Sequence, residues 1–304
     1  MTEDSLYWNV YRQLEKDFLS IAEILHIDDK QINVYSMRIA DLLLRTVVEI
    51  EALSKKLYFD NGGDKADNHE LYFDTDCLAL LEEKWAISKR KVQVIGTDLY
   101  LNDKENLVLT PLHKSFKRGT SGADWAKAYQ AIKHNRVKNL EKGTIKNLMR
   151  AMATLFLLNI YNSQKVFKLG TISNVNDVDV SQGSSLFAIY VHPLNGISFD
   201  DKYDKLFNFT DYTYLIKITD DSYVEAIGEN SQLGKLVRQR AIDKVKHNSI
   251  SGRIDLNEFY NVYQQTLIEF ARENPNPIQQ VMAGLRYEAV LNVNQDKVYN
   301  IDTK

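Results

Sequence analysis

Residues 123–161, ADWAKAYQAIKHNRVKNLEKGTIKNLMRAMATLFLLNIY, constrain the fold more than any other stretch of this chain. They form two adjacent helical patterns. At about 100° per residue, Trp125, Ala128, Tyr129, Ile132, Arg136 and Leu140 share one face of the first, with His134 opposite and Lys133 at the edge. An arginine on a core-facing position keeps its charge, so it needs a carboxylate, several carbonyls or an external anion. A buried ion pair and a cationic site for phosphate both answer that need. The second pattern, from Thr144 onward, carries Leu148, Met152, Leu155, Phe156 and Ile160 and is apolar enough to be core on most sides.

The same periodicity gives a helix over residues 4–26, through Leu6, Val10, Leu14, Phe18, Ile21 and Leu25. Asp28 or Asp29 is then expected to cap a longer helix reaching residue 58. Beside its apolar face runs a polar stripe of Arg38, Arg45, Glu49 and Lys56. Arg45 and Glu49 are one turn apart at the core border, so Glu49, rather than Glu51, is the expected partner of Arg136, with Arg45 helping to orient the group. Residues 71–90 read as a further helix, and KVQVIG from residue 91 as a short strand or a helix continuation.

Glycine, serine and asparagine punctuate residues 168–183, where a boundary is placed. Beyond it, SSLFAIYV, YTYLIKIT and YEAVLNV are rich in aromatic and β-branched residues and read as strands. Helical patterns cover residues 221–247 and 255–272 between them. The expected fold is α+β and predominantly α: an antiparallel helical bundle over residues 1–168, then a smaller mixed α/β region over residues 169–304.

Composition narrows the function classes. With 44% apolar and 26% charged residues and only 4 prolines in 304 residues, the chain suits a globular core and leaves little room for long disordered linkers. A net charge of -3 gives no global attraction to nucleic acid or anionic membrane, so such binding requires a local patch. One cysteine, Cys77, excludes a disulfide framework and a cysteine-rich zinc site. The acidic start lacks a signal-peptide pattern, and no apolar run approaches the roughly 18 residues of a membrane span, so a cytoplasmic protein is expected.

Chemistry-bearing candidates are few. The motifs GxSxG, HExxH, CxxC and GxGxxG are absent, and no cofactor or metal is expected. The acidic groups FDNGGDKADNHE, with His69, and FDDKYD read as solvated turns rather than cation sites. KRGTSG, residues 117–122, places glycines, hydroxyls and two cations before a helix. It reads either as a flexible loop ending in an N-cap at Ser121 or Asp124, or as a phosphate-holding turn.

The phrase WAKAYQAIKHNR before a long apolar helix resembles a motif of bacterial proteins related to the HEPN group, a tryptophan, a Tyr-Asn pair and then Lys-His-x-Arg. The matching residues are Trp125, Tyr129, Lys133, His134 and Arg136, with Gln130 in place of the asparagine, and the resemblance covers about residues 30–165. It implies an antiparallel bundle, often dimeric, in proteins that cleave or bind RNA and serve phage defence or toxin systems. On that basis Lys133, His134 and Arg136 are the candidate catalytic group, His134 as acid or base, with Glu49, Arg45 and Tyr129 orienting it, and a homodimer could bring separate faces together. Active HEPN ribonucleases carry an arginine, about four to six intervening residues and then a histidine, a pattern absent from the central helices here. Arg240 and His247 have that spacing and form a secondary candidate, on a helix that otherwise reads as solvated and basic. The alternative class is a non-enzymatic interaction or sensor protein with a protein partner, in which the Lys-His-x-Arg group is structural.

Overall fold

A computed structural model describes residues 3–66, 70–171, 175–192, 209–227, 231–248, 256–275 and 283–293. Helix α1 (Glu3–Ala22) buries Tyr11, Leu14, Phe18 and Ile21, spaced at three and four. Strand β1 (Ile27–Asp28) follows, and α2 (Met37–Asp60) starts later than expected. Its cap is Ser36, whose Oγ accepts from the Ile39 N–H at 3.2 Å. Asp28 instead closes its own turn, accepting from the Lys30 and Gln31 N–H groups. Asp29 accepts from the backbone of Asn102 and Asp103 and the side chain of Asn106.

The helix expected over residues 71–90 is shorter and irregular. A π-helical turn (Phe73–Leu78) runs into α3 (Ala79–Trp85), which ends where Ala86 takes a left-handed φ of 49°. Then come β2 (Val92–Val94), β3 (Leu99–Tyr100), α4 (Lys104–Leu107) and β4 (Val108–Leu109). Helix α5 (Asp124–His134) stops at Asn135, whose side chain caps α6 (Arg136–Asn139) by accepting from the Lys138 N–H at 3.2 Å. Thr144 caps α7 (Ile145–Ser163), as its position suggested. Helix α7 is the axis of the fold: every residue from 151 to 162 is buried, with α2, α1 and α5 packed around it.

The remaining strands are β5 (Phe167–Gly170), β6 (Phe187–Ile189), β7 (Val191–His192), β8 (Tyr214–Ile218) and β9 (Tyr287–Leu291). They make two sheets, ordered β4-β2-β6 and β5-β9-β8-β7. The chain is thus α+β and predominantly α. The division expected at residue 168 is crossed repeatedly: β2 pairs with β6, and the Glu15 carboxylate of α1 accepts from the Ser184 hydroxyl and the Ser185 and Leu186 N–H groups. One apolar core runs from Tyr11 to Ala289.

Helix α8 (Asp220–Ile227) leads to a hairpin of α9 (Gln232–Asn248) and α10 (Leu256–Glu273), which has a small core of its own around Val237, Ala241, Tyr263 and Leu267. Among the described residues no helix is long and apolar enough to cross a membrane.

Candidate functional site

The α5 face bearing Ala126, Gln130 and Lys133 lies at the edge of the core, where Ala126 is still buried and Lys133 is exposed. It forms one wall of a cleft of about 710 Å³, closed by Glu51 and Lys55 of α2, by Tyr72, Phe73 and Asp74 at the π-helical turn, and by the loop 117–122. Five cations, Lys55, Lys117, Arg118, Lys127 and Lys133, line it with two carboxylates. Two sequence features read separately, KRGTSG and the lysine of the Lys-His-x-Arg group, therefore meet in one place.

The loop keeps its shape through two glycines. Gly119 has φ +67°, and a Cβ on Gly122 would stand 2.8 Å from the Lys117 carbonyl oxygen. The expected caps are not used: Ser121 Oγ donates to the Arg118 carbonyl at 3.0 Å, Ala123 occupies the cap position, and Asp124 pairs with Lys127 at 2.8 Å. Arg118 is held as a fork on the buried Asp74, Nε to Oδ2 at 2.9 Å and Nη2 to Oδ1 at 2.5 Å, with its guanidinium 3.8 Å over the Tyr72 ring. The Asp74 carboxylate raises the Arg118 pKa, so this cation is fixed and permanent. Lys133 Nζ donates to the Tyr129 hydroxyl at 3.2 Å, and that hydroxyl, then Glu51, raises its pKa. Burial, then the Glu51 charge, pushes the Tyr129 hydroxyl up, so it stays protonated at neutral pH.

The other expected site residues lie elsewhere. His134 is the exposed last residue of α5 and does not line the cleft. Arg136 is not on the core face, because the helix breaks at Asn135 and the wheel cannot be continued through it. It pairs with Asp41 at 2.7 Å, both side chains more than a third exposed at 38% and 52%. Glu49 is not its partner, and Arg45 pairs with Asp17 of α1 at 2.7 Å. The rotation of α2 turns Glu51 to Tyr129 and Lys133, so neither Glu49 nor Glu51 is the partner of Arg136. An exposed pair such as Arg136–Asp41 is worth about 0 to 1 kcal/mol. Urea unfolding of Arg136→Ala is accordingly expected to shift stability by no more than that, and a loss above about 3 kcal/mol would restore the buried-pair reading.

Arg240 pairs with Glu273 at 2.8 Å and lies 4.9 Å over the Phe270 ring, ties that brace α9 on α10. The side chain of His247 lies outside the described residues, as do His69 and FDDKYD. Among the described residues no three His, Cys, Asp or Glu side chains gather as a metal would need. Sequence reasoning missed Asp74, Lys55 and Arg150. For Arg150 the signal was present, since it is the one charge between Lys146 and Lys165 in an apolar helix.

No family model, curated protein or solved structure matches the chain.

Proposed function

We propose that the chain binds a phosphate-bearing ligand in this cleft, and that the ligand is single-stranded RNA, the class implied by the HEPN-like motif and with it a role in phage defence or a toxin system. The observation that carries the reading is the convergence of five cationic side chains on one cleft in a chain whose net charge is -3. Lys117 makes no ion pair among the described residues and Lys133 is tied only to a neutral hydroxyl, so both can release counterions on meeting phosphate. Arg118 on Tyr72 presents a flat cation on which a base can stack.

The proposal is binding, without cleavage at the motif. General acid-base chemistry needs a group within hydrogen-bond reach of the reacting oxygens. His134 lies outside the cleft, no histidine lines it among the described residues, and Arg136 is paired, which favours the non-enzymatic reading.

Fluorescence anisotropy with labelled single-stranded RNA tests this. The double variant Lys117→Glu, Lys133→Glu is expected to bind at least about a hundredfold more weakly, and its slope of log affinity against log salt to fall by about 0.7 for each phosphate that is no longer neutralised. Unchanged affinity and slope would sink the proposal. Incubation with labelled RNA in EDTA separates binding from catalysis, since cleavage by the wild type that vanishes in His134→Ala would return the site to the motif histidine.

A further inference from the structure

Behind the loop 117–122 lies a second recess, of about 220 Å³, lined by His113, Lys114, Lys127 and Arg150 with the single carboxylate Asp124. Thr120, Gly122 and Lys127 line both this recess and the main cleft, so the loop is a wall common to the two. Asp124 is engaged by Lys127.

Arg150 is what sets the recess apart. It projects from the apolar helix α7 and is partly buried, yet among the described residues its guanidinium makes no hydrogen bond and no ion pair. Burial lowers its pKa, and the charges of Asp124 and Glu105 offset this only through space. A guanidinium does not shed its proton in a protein, so the charge persists at this half-buried position. Elsewhere the fold satisfies its inward arginines: Arg118 is forked on Asp74, and Arg90 has four protein acceptors. The guanidinium donors of Arg150 are left without a protein acceptor among the described residues and are open to an anion from outside the chain.

The volume says what fits. Pockets for drug-sized ligands start at about 300 Å³, so this recess suits a single phosphate group, while the main cleft can accommodate a nucleoside. We infer that the recess is a second phosphate site, centred on Arg150 and joined through Lys127 to the main cleft, so that the ligand is a strand carrying phosphates on both sides of the loop 117–122. The strand's identity rests on the function proposed above; the phosphate site does not.

Two measurements keep these apart. Thermal unfolding in inorganic phosphate, against chloride at equal ionic strength, is expected to show a higher midpoint for the wild type and Arg150→Lys, and a clearly smaller rise for Arg150→Met, which keeps the stem and removes the charge while leaving the cations of the main cleft in place. An equal phosphate response in the wild type and Arg150→Met overturns the site. Should Arg150→Met fail to fold, Lys114→Glu at the exposed lip gives the same reading, and an undiminished phosphate response there overturns it. In the second measurement, anisotropy with labelled ribonucleotides of one, two and four residues, Arg150→Met is expected to bind the longer two about tenfold more weakly and the mononucleotide with a smaller loss. If Lys117→Glu, Lys133→Glu weakens every length while Arg150→Met alters none, the shared strand is refuted and the cleft stands. If no oligonucleotide binds the wild type but the phosphate response still depends on Arg150, RNA binding is refuted and the phosphate site stands.

Discussion

Replacing Arg90 by methionine is expected to destabilise the fold by about 3 to 5 kcal/mol, because several buried acceptors are each left with a bond unmade. Arg90 is fully buried, and among the described residues it makes no ion pair with a carboxylate. Its Nε donates to the Tyr161 hydroxyl at 2.8 Å, Nη1 to the Thr210 carbonyl at 2.6 Å, and Nη2 to the carbonyls of Asn292, at 3.1 Å, and Trp85. The Tyr161 hydroxyl in turn donates to the Asn292 carbonyl at 2.8 Å. Burial pushes the Tyr161 pKa up and keeps that proton in place, although Arg90 pulls the other way. Methionine fills the space but leaves several oxygens with a bond unmade, each costing about 1 to 3 kcal/mol before the structure relaxes. Arg90→Lys should recover little, because an ammonium cannot span four acceptors set in a plane around a fork. Urea unfolding followed by tryptophan fluorescence and far-ultraviolet dichroism checks this. A loss below about 1 kcal/mol would show that these bonds are replaced without Arg90. Because Arg90 ties residues near 85 and 161 to residues near 210 and 292 across a continuous core, the two signals should move together.

That network also marks where the sequence stops being legible. Helices α1, α2 and α7 follow from apolar spacing, and β6, β8 and β9 from aromatic and β-branched runs, because these are local signals, whereas the segment of β2 reads equally as a strand or a helix continuation. The turn-rich composition of residues 168–183 is equally local and truthfully marks the end of α7. It says nothing of β2 pairing with β6, which joins strands about a hundred residues apart. Arg136 was misplaced for a smaller reason: a wheel assumes an unbroken helix, and Asn135 offers its side chain to the backbone, as asparagine does at caps. The choice between Glu49 and Glu51 depends on the rotation of α2, which α1, α5 and α7 set together, so no window on α2 contains the answer. KRGTSG could be read as a loop able to meet phosphate, but its partners Tyr72 and Asp74 lie more than forty residues earlier and only the fold brings them near. Arg150 needed no long-range information, since a permanent charge in an apolar helix calls for a counter-charge more strongly there than at Arg136.

Replacing Trp125 by alanine is expected to cost about 3 to 5 kcal/mol as well, and here stability and binding separate into two measurable parts. Trp125 is 1% exposed, and its Nε1 donates to the Pro111 carbonyl at 3.0 Å. The Thr154 hydroxyl lies 3.1 Å from the same oxygen and 2.9 Å from the Arg150 carbonyl, so it too can serve Pro111. These bonds fasten the segment that leads from Pro111 to Lys117 and Arg118, and with it the loop between the cleft and the recess. Trp125→Phe keeps most of the buried ring and loses one bond to a carbonyl that retains another, at about 1 kcal/mol. Thr154→Val should cost a similar amount. Together they leave the Pro111 oxygen unpaired, so the double variant is expected to lose more than the sum, a coupling within about 0.5 to 3 kcal/mol. Additive losses would mean that the carbonyl is not shared. RNA affinity gives the second readout. If Trp125 acts by holding the loop, Trp125→Phe should bind within about twofold of the wild type, since the loop stays fastened through Thr154. A folded Trp125→Phe that had lost binding would place the indole against the ligand, and the tryptophan of the motif would then belong to recognition and not to support.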